Sequence, residues 1–409
     1  MTIVFFLPVI LRDAHRSIFA LDKLEQQGNK IVILDATQYF NVFRPTATDP
    51  YIFDRIVRCK EKSDFIDFRN KLGESPVIFV TNNLYMQMAC GVLNTLIRKQ
   101  DRLLVASTRF TAAHYKYPKG VQKIFSQVVR HLDNYLPLYL FKFYYKNIRK
   151  IYVPDYFLGA TKFITANNTI LSVKKQNRIY VHSDDINYAF EPMDSVLDPS
   201  KKVGVFLDQM LPYFNGRNPD VHNNDVNRKY KKEYYHNLVR AFKKIQQDLE
   251  LDELVIALHP EAVTIRTEID EKFAPFKTYI GLTNELIKDS TIVFGHFSTA
   301  LGMAAFYQKP IILLADGNML KREDRKRFIN SYSQELGLRK LRIDEERLPI
   351  TKDLLHKNDE LYNRYIKKFL KEIPYEGNAF YYAINKIKKD LMLRSPKSSR
   401  ELETRRSGI

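Results

Sequence analysis

Cysteine is almost absent from this sequence: 409 residues hold two, Cys59 and Cys90, with no CxxC spacing. Two thiols can neither complete a zinc site by themselves nor staple a fold, so no metal cluster and no disulfide framework is expected. Long apolar runs are missing as well. The longest, 3–11, is about half of what spans a bilayer, and it lacks the basic start and small-residue cleavage site of a signal peptide. The chain is therefore expected in the cytoplasm. Acid is scarce: 47 Asp+Glu stand against 65 Lys+Arg, a formal net charge of +18 at pH 7. Such a balance favours anionic partners, whether phosphorylated substrates, an acidic membrane face or nucleic acid. The excess is concentrated. Residues 109–150 contain nine basic residues, one acid and ten aromatics, residues 386–409 contain eight basic and three acidic, and together they carry 13 of the 18 net charges. No RNP, zinc-finger or helix-turn-helix signature accompanies the charge, so a nucleic-acid role rests on charge alone and no nucleic-acid partner is expected.

What is present is alternation. Strand-like runs at 2–9, 31–34, 76–80 and 102–106 are separated by helical spacing at 11–27, 64–72 and 85–98, and strand-like segments return at 151–157 and 178–181. After a Pro-, Ser- and Asp-containing linker at 191–200, a second series follows. Strands are predicted at 202–207, 254–258, 277–280, 291–294 and 310–314, and helices at 228–249, 284–289, 298–307 and 378–393. Strand–helix alternation predicts parallel sheets covered on both faces, so the fold class is α/β with two Rossmann-like domains.

In open α/β sheets, ligands bind beyond the carboxyl ends of strands, where helix starts offer unpaired N–H groups to anions. The second series places unusual residues there: Asp208-Gln209, His259-Pro260, and Gly295-His296-Phe297-Ser298-Thr299 ahead of a small-residue helix. Two imidazoles, two hydroxyls and a helix start suit a phosphate. Each piece also has an ordinary reading, His-Pro as a turn and Ser-Thr as a helix cap. No convincing DxD motif occurs at a strand end, which favours metal-independent chemistry.

The segments ALHPEA (257–262), LTNELI (282–287) and IVFGHFSTALGMAAFYQKPIILL (292–314) together resemble the nucleotide-binding half of GT-B glycosyltransferases with the HP motif. That group includes bacterial CMP-sialic acid-dependent sialyltransferases, polysialyltransferases, and the Kdo and related transferases of surface polysaccharide assembly. The specific likeness covers roughly 200–315. It implies a GT-B architecture with a cleft: an acceptor domain at 1–195 carrying the 109–150 insertion, a donor domain at 200–375, and a helix and basic tail at 376–409 packing back across the seam. It implies that His259, beside Pro260, contacts the donor phosphate and protonates it on departure, that Ser298 and Thr299 cradle it, and that Glu285 holds the ribose. Asp208 and Gln209 occupy the first donor-domain loop, and His296 is expected to add a phosphate donor. The implied activity is inverting transfer of an acidic sugar (sialic acid, Kdo or a related nonulosonate) from a CMP-sugar to a glycan or lipid-linked glycan acceptor, with no cofactor. A CDP-polyol phosphotransferase or UDP-sugar transferase of surface-polymer assembly is the alternative.

On the acceptor side a general base is needed. Asp13, in the loop after the first strand, is the candidate, with His15 next; a helix cap is an equal reading for Asp13. Asn82 and Asn83 are candidates for binding acceptor hydroxyls, or simply loop residues. The aromatic, basic stretch 135–149 reads either as a surface lying on an anionic inner leaflet or as a core helix.

Overall fold

The structure, a computed structural model, describes residues 1–7, 14–40, 56–82, 92–108, 154–164, 173–213 and 225–393. β1 (Thr2–Leu7), β2 (Lys30–Asp35), β3 (Ile56–Arg58), β4 (Val77–Asn82), β5 (Arg102–Ser107), β6 (Tyr156–Gly159) and β7 (Arg178–Tyr180) form a parallel sheet in the order β3-β2-β1-β4-β5-β6-β7. β8 (Val203–Leu207), β9 (Glu253–Leu258), β10 (Lys277–Ile280), β11 (Ile292–Gly295), β12 (Ile311–Ala315) and β13 (Lys340–Arg342) form a second parallel sheet, ordered β10-β9-β8-β11-β12-β13. Both orders run outward from a central first strand and reverse beside it, the doubly wound arrangement that creates a switch point at the carboxyl ends.

The strands are apolar on both faces because helices cover both faces. In β1 the alternation sorts the side chains: Ile3, Phe5 and Leu7 enter one core, Val4 and Phe6 the other. Each fully buried Leu, Ile or Phe contributes about 1.5–3 kcal/mol relative to exposure. In the second sheet Phe206, Ile256, Leu258, Ile292, Phe294, Ile312 and Leu314 pack against Leu238, Phe242 and Ile245 of the helix Asp225–Asp248.

The described residues divide into two compact units, one from those before Glu191 together with those from Lys371 on, the other from Glu191–Leu370. The last helix, Ala379–Leu393, inserts Ala379, Phe380, Ala383, Ile384 and Ile387 into the core of the first unit. Its start is fixed by Asn378, whose Oδ1 accepts the Phe380 amide at 2.9 Å while its Nδ2 donates to Ser17 O and Ile18 O at 2.7 and 2.9 Å.

Several features differ from expectation, among them the unpredicted helices Arg266–Phe273, Glu323–Leu336 and Asp359–Tyr365. The helix predicted over 11–27 is, in its described part, two helices, Ala14–Ile18 and Leu21–Gln26, separated by Ala20 at a left-handed φ of 52°. Two carbonyls at that break take side-chain donors: Ser17 O, which also accepts the Ala20 amide at 3.0 Å, and Ile18 O accept from Asn378, and Asn187 Nδ2 also donates to Ile18 O at 3.3 Å. The strand expected at 151–157 begins only at Tyr156 among the described residues. The three-residue strands β3 and β13, next to no apolar run of their own, were not predicted.

Candidate functional site

The register of the second sheet brings the strand ends into one row. Leu207 of β8 pairs with Ala257 of β9 and with Gly295 of β11, so the residues that follow, Asp208, His259 and His296, emerge on one carboxyl edge of three adjacent strands. Gly295 is small for a reason: a Cβ there would stand 3.1 Å from Leu301 Cδ2, so glycine lets the helix Leu301–Phe306 close against the strand end.

His259 caps the 3-10 turn Pro260–Ile265, and Pro260 fills the first position, where its missing N–H costs nothing. The His259 Nδ1 accepts the Glu261 amide hydrogen bond at 3.2 Å. That bond engages Nδ1 and orients the half-buried ring.

Gln209 ties the first loop to the third: its Oε1 accepts the Phe297 amide at 3.0 Å. Ser298 Oγ accepts the Ala300 amide at 3.2 Å, so its hydroxyl hydrogen remains a donor to be placed elsewhere. Ser298 and Thr299 are both half-buried. Glu285 lies in the first turn of the helix Thr283–Asp289, after β10, and is half-buried. Its neighbour Asn284 accepts from the Tyr307 hydroxyl at 3.3 Å.

Asp208 is 4% exposed, with Oδ1 accepting the Met210 amide at 3.1 Å. Oδ2 is buried without a well-formed hydrogen bond. Burial pushes this carboxyl up to about 7, against the opposing pull of the Met210, Gln209 and His259 amides. An acid poised there can hold or release a proton near neutrality.

His296 corrects the expectation placed on it. The ring is 0% exposed, Nδ1 donates to Leu314 O at 2.7 Å, and Nε2 accepts from the Tyr234 hydroxyl at 2.7 Å. Burial pushes its pKa down to about 4. A neutral ring with both nitrogens committed offers nothing to a phosphate; it fastens β11 to β12 and to the helix Asp225–Asp248. Its partner Tyr234 stands 62 residues earlier, so nothing local in the sequence announces it.

One neighbouring group has no counterpart in the sequence reading. Beyond β12, Asp316 caps the helix Gly317–Lys321 through Oδ1 to the Met319 amide at 2.7 Å, and Oδ2 accepts from the Tyr230 hydroxyl at 3.2 Å. Burial raises its pKa above the ordinary carboxylate value. Arg325, on the helix Glu323–Leu336, is buried beside Tyr230 and His296. In the sequence it hides in the charged run KREDRKR. Only its position on a buried stripe with Ile329, Tyr332 and Leu336 sets it apart from its exposed neighbours.

Of the acceptor-side candidates, Asp13 and Asn83 lie outside the described residues, as do the stretch 135–149 and the basic tail. The helix Ala14–Ile18 begins directly after Asp13. His15 is half-buried and stacks on Phe19, ring centroids 5.6 Å apart. Asn82 ends β4, but its side chain is outside the described residues.

No protein-family model and no curated protein matches this chain. Solved structures do. A variant of the wall teichoic acid polymerase TagF superposes with a TM-score of 0.54 at 14% identity, covering 96% of this chain and 89% of that one. The same polymerase soaked with CDPG gives 0.50 at 11% identity, covering 96% and 88%. The fold is of the GT-B type. A UDP-GlcNAc 2-epimerase from Methanocaldococcus jannaschii in complex with UDP-GlcNAc and UDP is similar at a TM-score of 0.46 and 12% identity, covering 95% and 100%. Among the described residues, no helix is long and apolar enough to cross a membrane.

Proposed function

We propose that this chain is a GT-B transferase of surface-polymer assembly that takes a cytidine-nucleotide-activated donor. Transfer of a polyol phosphate from a CDP-polyol stands ahead of transfer of an acidic sugar from a CMP-sugar. The observation that carries the reading is the polar edge on β9, β8 and β11, where the His259 imidazole and the half-buried Ser298 and Thr299 follow the strand ends. Both reactions expel CMP. In the first, an acceptor hydroxyl attacks the distal phosphorus and the P–O bond to CMP breaks; in the second, the bond from the sugar's anomeric carbon to the CMP oxygen breaks. Either way the phosphate left behind gains negative charge, and donors aimed at it stabilise the transition state more than the ground state. The His259 imidazole is the group suited to donate a hydrogen bond to that phosphate. Glu285, on the same side of the sheet, is the group suited to the ribose hydroxyls.

Two things support placing the CDP-polyol first. The TagF polymerase, whose structure was obtained with CDPG, shares the fold at a TM-score of 0.50 or more. The HP-motif likeness to CMP-sugar enzymes is matched by no family model. It still favours cytidine over uridine, because both cytidine readings share the leaving group. A thermal-shift panel tests the assignment: CMP and CDP should raise the melting temperature more than UDP or GDP. Binding the native state alone adds about 2.7 kcal/mol at a hundredfold excess over Kd. A larger shift with UDP, and none with CMP or CDP, would remove the cytidine assignment.

A further inference from the structure

β8 lies between β9 and β11, so the loop that follows it stands between the strand end that carries His259 and the one that leads to Ser298 and Thr299. It is tied to both. The Asp208 amide donates to Ala257 O at 2.9 Å, and the Asp208 carboxyl faces the His259 amide. On the other side the Phe297 amide donates to Gln209 Oε1 at 3.0 Å. An amide N–H can only donate, so this bond settles which end of the Gln209 side chain is turned to the protein: the carbonyl oxygen. The ladder between β8 and β11 ends at Leu207 and Gly295, and Gln209 continues the connection past that point through a side chain. From Ser298 onward the backbone already belongs to a helix start: Leu301 donates to Ser298 O at 3.2 Å, Gly302 to Thr299 O at 2.9 Å, and the Ala300 amide to Ser298 Oγ at 3.2 Å. The two hydroxyl residues are thus bonded to the helix Leu301–Phe306 on one side and joined through Phe297 to Gln209 on the other.

We propose that Gln209 is a positioning residue: by holding the Phe297 amide it sets where the Ser298 and Thr299 hydroxyls stand relative to the His259 imidazole, and it acts on a bound phosphate only through them. The proposal rests on the reading of those hydroxyls as phosphate ligands. Hydrogen bonds weaken steeply as distance and angle depart from their optimum, so a loop that drifts loses the contact even with its hydroxyls intact. β9 and β11 are not neighbours, and the loop after β8 is the part of the fold that touches both ends.

Titration calorimetry on the full chain tests this with two probes, CDP and inorganic pyrophosphate. The chains compared are the wild type, Gln209→Met, the pair Ser298→Ala with Thr299→Val, and that pair combined with Gln209→Met. Methionine keeps the length of the side chain and removes the acceptor. Gln209→Met should weaken both probes by about three- to tenfold, the scale of one hydrogen bond. In the chain that already lacks both hydroxyls the same substitution should change affinity by less than about twofold, because the groups it positions are gone. Amide hydrogen exchange over 296–299, read with no ligand added, should be faster in Gln209→Met than in the wild type. An equal loss of affinity in both backgrounds means that Gln209 meets the anion itself, and overturns the proposal. A folded Gln209→Met that binds both probes as the wild type does, or that exchanges at the wild-type rate over 296–299, also overturns it, while the cytidine reading stands. If CDP fails to bind the wild type but pyrophosphate binds and shows the background-dependent loss, the positioning role stands and the cytidine reading falls. Should Gln209→Met not fold, Gln209→Ala decides by the same comparison. A wild type that binds neither probe overturns the proposal as well.

Discussion

Each unit buries one arginine among its described residues, and the two are held in opposite ways. Arg69, in the first unit, is 2% exposed with its Nη2 3.0 Å from Asp101 Oδ2. Asp101 also accepts the Val77 amide at 2.9 Å and the Arg98 amide at 2.8 Å. These groups meet where β4 and β5 begin, the amino edge of the first sheet, away from where α/β sheets bind ligands. Arg325, in the second unit, instead neighbours the Tyr230 hydroxyl, and no carboxylate among the described residues forms an ion pair with it. A charge cancelled inside the fold acts as a strut. A charge met by a hydroxyl depends on the orientation of that one neighbour.

The comparison can be broken most sharply at its structural end. Asp101→Ala removes the countercharge of Arg69 and two backbone caps at once, and should cost about 3–5 kcal/mol in a urea denaturation measurement. Nucleotide affinity of the surviving folded fraction should not change. An unchanged urea midpoint would show that Asp101 is no strut for Arg69.

The second test uses pH. Asp208 is held at about 7 by burial against an ordinary 3.8. Below pH 3.8 it is protonated in folded and unfolded chains alike. As pH rises past that point the unfolded chain releases the proton first, so stability falls until about pH 7. His296, held at about 4 against 6.5, works the other way: its contribution is complete above pH 6.5 and is lost as pH falls toward 4. Between about pH 4 and 6.5 the two slopes oppose each other, each near 1.4 kcal/mol per pH unit at most. Asp208→Asn should therefore leave a variant whose stability climbs more steeply with pH across that window than the wild type's. Parallel melting-temperature profiles at pH 4.5, 5.5 and 6.5 would show that Asp208 titrates normally.

The third effect is catalytic. His259→Ala should lower turnover by about 10²-fold or more, the scale for losing one preorganised donor. CDP binding should weaken less than tenfold, because Ser298 and Thr299 still hold the ground-state phosphate. Normal turnover in a folded His259→Ala enzyme would reduce the His-Pro pair to turn chemistry.

Much of this was legible in the sequence, and the rest was hidden for definable reasons. Runs such as VGVFL and IILLA announce strands buried on both faces, and His259-Pro260 and Ser298-Thr299 stand at strand ends as their positions required. Edge strands of three residues, IVR and KLR, are too short to show a period. His296 misled because a histidine after a strand end looks the same whether it faces a ligand or the core. What decides is the distant Tyr234 hydroxyl and the Leu314 carbonyl. Arg325 escaped because local charge density signals a solvated helix face, while burial depends on what the rest of the unit places over it.

The route of the chain has a consequence for its synthesis. The first unit begins at the amino terminus, but its core includes Ala379, Phe380, Ala383, Ile384 and Ile387 of the last described helix. Until that helix is translated, β6 and the core it joins lack that cover, while the described residues of the second unit, Glu191–Leu370, are all made before it. The usual amino-to-carboxyl order of cotranslational folding is thus inverted here. The later-made unit can mature first, and the earlier-made one lacks part of its core until the helix Ala379–Leu393 is translated.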